Sequence, residues 1–122
     1  MIILLVVLAL ASPSPAPRPT AAHTGDFLLR VPAGQTVPIA FPVPVRLASV
    51  DRPVTFSWRI VKPVPAPKFV FLVHCLDQDR CYPSIMRPTG DASGTLGSPY
   101  RIDNKSRLEV DVQIRYALWE VR

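Results

Sequence analysis

Leu108-Glu109-Val110-Asp111-Val112-Gln113-Ile114-Arg115-Tyr116-Ala117-Leu118 decides the reading of this chain. Every even position is apolar, and the odd positions Glu109, Asp111, Gln113 and Arg115 are polar or charged. Side chains alternate between the two faces of a strand, so this is a half-buried β-strand over eleven residues, long for its kind. The same period recurs over Val54 to Val61, where Val54, Phe56, Trp58 and Ile60 share one face and Thr55, Ser57 and Arg59 the other. Phe69 to Leu76 is apolar on both faces apart from His74, as expected of a central strand covered on each side.

The remaining strands are shorter and are bounded by turn residues. Phe27 to Val31, Thr36 to Phe41 and Tyr100 to Asp103 read as strands, with Pro32-Ala33-Gly34-Gln35 and Asn104-Lys105 as turns. The 15 prolines must fall in turns, connectors and sheet edges, because Pro lacks the N–H that a ladder needs. Pro63, Pro65 and Pro67 mark a polyproline-like connector, and Arg87 to Ser98 reads as a long Gly/Pro/Ser/Thr loop. No window of useful length has helical periodicity. The chain is therefore predicted to be all-β: one antiparallel β-sandwich with Pro-rich edges and a short disulfide loop, an immunoglobulin-like strand order being open.

The N-terminal end reads as an export signal. Ile2 to Ala11 is an unbroken apolar run, too short for a membrane-spanning helix, and Ala9-Leu10-Ala11 is a small-x-small cleavage pattern. Residues 1–11 are read as the signal, or 1–22 if cleavage follows Ala22, and residues 12–25 as a Pro/Ser/Ala-rich leader. Residues 26–122 are then the β-sandwich domain of a protein that is secreted, periplasmic or held at a cell surface, with no membrane span in the mature chain. Cys75 and Cys81 enclose five residues, which suits a disulfide in an oxidising compartment.

Catalytic motifs are absent. There is no Gly-x-Ser-x-Gly elbow, no His-Glu-x-x-His and no phosphate-cradling glycine loop, and only two histidines. Neither enzyme activity nor a cofactor is expected. Asp77-Gln78-Asp79 places oxygen ligands at alternate positions but lacks a closing Glu and a turn glycine, so it reads as a solvated hairpin tip. Asn104-Lys105-Ser106 is a glycosylation acceptor if the source is eukaryotic.

The leading expectation is an exported, non-enzymatic module for interaction or structure. Its partner is a protein or a second copy, met through an edge strand or the Arg87–Ser98 loop. Trp119 falls on the odd, polar face of the last strand, and with Arg87, Thr89 and Asp91 it is taken to border the contact surface. A net charge of +5 adds weak attraction to anionic surfaces, without the clustered basic and aromatic residues of a specific nucleic-acid binder. Two alternatives stand beside this one. Cleavage after Ala22 would place His23 first in the mature chain, where its amine and imidazole, with His74, suit copper. The Arg87–Ser98 loop would serve a small peptidase inhibitor.

The disulfide ring is small, so reduction is expected to lower stability by only about 2 kcal/mol in the chain-entropy view. Urea unfolding with and without reductant measures this, and a chain that unfolds outright on reduction would contradict it.

Overall fold

The structure is a computed structural model in which residues 20–121 are described. Residues 1–11, read above as an export signal, and residues 12–19 of the expected leader lie outside them. Eight strands follow one another: β1 (His23–Val31), β2 (Thr36–Pro38), β3 (Pro53–Lys62), β4 (Val70–Cys75), β5 (Cys81–Ile85), β6 (Thr89–Thr95), β7 (Tyr100–Asn104) and β8 (Val110–Leu118). One 3-10 turn, Val45–Leu47, interrupts the connection from β2 to β3.

The strands form two antiparallel four-stranded sheets, β1-β8-β3-β6 and β2-β7-β4-β5. Each of β1 to β4 is thereby paired or interleaved with a strand from the second half of the chain. That order is the double Greek key of a jelly roll. An immunoglobulin sandwich would instead set its first two strands side by side in one sheet, so the immunoglobulin-like order is replaced.

The sequence pattern accounts for the core. The even face of β8 is closed to solvent, with Val110, Val112, Ile114 and Leu118 at 0% exposure. The matching face of β3 supplies Val54, Phe56 and Ile60, and sheet two contributes Val70, Leu72, Tyr100 and Ile102. Trp58 sits at the margin of this core, where it lies across Gly90 of β6 and its Nε1–H donates to the Arg87 carbonyl at 3.0 Å. A Cβ on Gly90 would come within 2.3 Å of the indole, so only glycine lets Trp58 cross that strand. Phe56 is the deeper anchor, touching Phe41, Trp58 and Tyr100.

Several boundaries differ from the sequence reading: the strand expected over Thr36–Phe41 ends at Pro38, and that expected over Phe69–Leu76 runs over Val70–Cys75. The first strand begins at His23, three residues before the expected domain start at Asp26, because its pairing with β8 continues to Leu118. The strand expected from Leu108 begins at Val110, since Leu108 belongs to the turn and is exposed. Arg87 to Ser98 is no loop: Thr89–Thr95 is a full edge strand paired with β3 from Arg59 back to Pro53. The Cys75–Cys81 disulfide is present, joining directly opposed residues of the β4–β5 hairpin.

Phe56→Ala is expected to cost about 3–5 kcal/mol, the range for removing a buried aromatic ring. Chemical denaturation measures it, and a loss below about 1 kcal/mol would mean that Phe56 is not the centre of the core.

Candidate functional site

The two histidines do not share a site. His23 approaches Tyr116, its Nε2 3.4 Å from the phenol oxygen. His74 stacks flat on Tyr100, with ring centroids 4.2 Å apart, and its Nε2 is buried without a hydrogen-bond partner. Between them runs a row of aromatic rings: Tyr116, Phe41, Phe56 and Tyr100, with successive centroids 5.2, 5.3 and 5.0 Å apart. One ion needs both imidazoles within its coordination sphere, and four rings occupy the way from one to the other. No group of three or more His, Cys, Asp or Glu is placed to hold a metal among the described residues. The phenols at the two ends of the row are held neutral: burial pushes both above their usual range, with the Asp26 charge adding to the effect at Tyr116.

Two further sequence candidates are used internally. Asp77 spends its carboxylate on the hairpin tip, accepting from the backbone N–H groups of Asp79 and Arg80 and from Arg80 Nε at 2.7 Å. The Arg80 contact, then the backbone bonds, holds its pKa below the usual carboxylate range. Asn104 is the opposite of an accessible glycan acceptor. It is 0% exposed, and its Nδ2 donates to the carbonyls of Val31 and Leu108 at 3.1 and 2.8 Å. Its Oδ1 accepts from the N–H and hydroxyl of Ser106, so the acceptor asparagine is buried and ties β1 to the β7–β8 connection. Arg52 is likewise used internally: it is buried and donates to the Leu47 and Trp119 carbonyls.

What the structure does assemble is an open trough of about 1070 Å³ on the solvent face of the β1-β8-β3-β6 sheet. Strand pairing sets Asp26, Arg115, Ser57 and Asp91 in one row across all four strands. The next row is Thr24, Ala117, Thr55 and Ser93. Small side chains keep the floor low, and the polar groups point outward because the other face of each strand is committed to the core. Trp119 closes one end: its Nε1–H donates to Thr55 Oγ1 at 2.9 Å, leaving the ring half-buried beside the trough. Thr89 borders the other side, against Arg59.

Of the four expected contact residues, Trp119, Thr89 and Asp91 therefore share one face, and Arg87 lies just before β6. Sequence reasoning missed Asp26, Ser57 and Arg115 as members of the set. Their outward parity was readable, but their alignment depends on which strands pair.

No protein-family model matches this chain, and no curated protein matches it in sequence.

Asn104→Ala is expected to lower stability by about 2–3 kcal/mol, because buried carbonyls lose their donor. Folded protein secreted from a eukaryotic host is expected to carry no glycan at Asn104, read by intact mass before and after glycosidase. A glycosylated chain that still unfolds at the unmodified temperature would contradict this placement.

Proposed function

We propose that the protein is an exported, non-enzymatic interaction module that engages a protein partner across the solvent face of the β1-β8-β3-β6 sheet. The observation carrying this reading is the trough itself: a row of Asp26, Arg115, Ser57 and Asp91 over a floor of short side chains, edged by Trp119. A rigid sheet presents these donors and acceptors in fixed positions, and an amphipathic aromatic at the border is a favoured anchor for protein contacts. Among the described residues, Asp26, Arg115 and Asp91 enter no ion pair, so their hydrogen-bonding capacity is free for a ligand.

Export is supported by the N-terminal apolar run and by the disulfide, which persists in oxidising compartments. No helix among the described residues is long and apolar enough to cross a membrane. A non-enzymatic role is supported by the surroundings of the histidines, each against a tyrosine rather than a nucleophile. The copper alternative loses its second ligand to the aromatic row. The inhibitor alternative loses its loop to β6.

Ser57→Arg would fill the middle of the trough from an exposed position and leave the core untouched. Affinity capture from the extracellular fraction of the source cells is expected to retain a protein on the parent chain and roughly tenfold less on the variant, a drop on the scale of one interface anchor. Equal capture by both, at equal melting temperature, would refute the trough as the contact face.

A further inference from the structure

The four sheet edges are not alike. β2 is three residues long and ends in Pro38, whose missing N–H falls on the unpaired side, since Val37 and Ile39 take the ladder to β7. β5 carries Pro83 in the same way, because the ladder with β4 runs through the even positions, continued by Met86 N–H to the Val70 carbonyl. β6 has two of its four outward carbonyls occupied: Ser93 accepts from the Tyr100 hydroxyl at 2.7 Å and Thr95 from Ser98 N–H at 3.1 Å. Proline, brevity and side-chain caps are the usual devices that stop a sheet edge from recruiting another strand.

β1 has none of them. It is nine residues long, without proline, and lies at the end of its sheet. The Trp119 N–H to Pro53 bond fixes which side of β8 faces β3: the odd residues do, so the even residues of β8 turn to β1 and meet its odd residues. The N–H and C=O groups of Thr24, Asp26, Leu28 and Arg30 therefore point to the open side. Apart from the strand ladders, no backbone hydrogen bond among the described residues reaches them. Their side chains are exposed, Leu28 at 52%.

The outward residues of this edge read Asp26, Leu28, Arg30, and that sequence is complementary to itself when run antiparallel. With Leu28 on a two-fold axis, Leu28 meets Leu28 of the second copy, and Asp26 meets Arg30 of the second copy at both ends. This register also places Leu28 opposite itself as a hydrogen-bonded pair, because both residues direct their backbone groups to the open side. Opposite charges facing one another across antiparallel strands stabilise the pair, and a two-fold contact repeats each of them. Arg30 already leans on Asp111, with Nε 3.0 Å from Oδ1, which holds the guanidinium on this face while it remains 62% exposed.

We infer that β1 is a homodimerisation strand: two copies pair β1 against β1 antiparallel about Leu28, joining their sheets into one eight-stranded sheet. The contact is narrow, so the dimer is reversible and strengthens with concentration. It shares Asp26 with the trough row, but it does not rest on the trough reading, which is tested at Ser57, two strands away from the edge.

Sedimentation equilibrium of the full chain over a concentration series is the test, with three variants. The parent is expected to show a monomer–dimer equilibrium. Asp26→Arg is expected to raise the dissociation constant by roughly tenfold or more, since it sets like charges opposite one another at both ends. Asp26→Ala, which removes the pair without adding a like charge and leaves Arg30 with Asp111 and Glu109, is expected to weaken the dimer less than Asp26→Arg. Leu28→Cys is expected to give a single disulfide-linked dimer under mild oxidation. A parent chain that stays monomeric at the highest concentration would overturn the inference, as would a dimer indifferent to Asp26→Arg with Leu28→Cys unlinked. Loss of partner capture by Ser57→Arg bears on the trough alone, so the two readings can fail separately.

Discussion

β8 lies between β1 and β3 and holds the first sheet together. Its even face provides the most completely buried residues of the core, and its two edges carry the ladders that hold the first and third strands in one sheet. The last strand in sequence thus completes a sheet begun by the first. Pairings over so large a sequence separation cost chain entropy before they return any contact energy, so little of the first sheet is stable without β8. Arg52 and Asn104 reinforce the same closure. Arg52 donates to the Trp119 carbonyl just past β8, and Asn104 binds the carbonyls of Val31 and Leu108 that flank it.

Much of this was legible in the sequence because period-two alternation is a local property. The faces of β3 and β8, the covering of β4 on both sides and the short disulfide hairpin could be read from neighbouring residues. Strand order could not, because it is decided by pairings between distant segments. β6 escaped for a different reason. Thr89-Gly90-Asp91-Ala92-Ser93-Gly94-Thr95 has little intrinsic strand preference, and it is extended because Trp58 needs a glycine beneath it and the β3 edge needs a partner. His23 reads as part of the leader because Gly25 and the preceding Ala21-Ala22 are weak strand formers, yet pairing with β8 carries the ladder to it.

The same pairing sorts the surfaces. The outward face of the first sheet collects small and charged side chains from four strands into one trough, whose members lie as far apart in sequence as Asp26 and Arg115. The outward parity of each was visible, while their adjacency was not. The edges differ: prolines interrupt two of them, β6 is capped at Ser93 and Thr95, and the nine-residue β1 is left open among the described residues. At β1 charge, parity and length all favour an edge that accepts another strand.

Residue-resolved amide hydrogen exchange reads the position of β8 in its sheet. A strand paired on both sides protects every amide, whereas an edge strand protects alternate ones. The account requires slow exchange at each amide from Val112 to Leu118, and in β6 slow exchange at Gly90, Ala92 and Gly94 with fast exchange at Asp91 and Ser93. Alternating protection along β8 would place it at a sheet edge and contradict the topology from which the trough and the open β1 edge follow.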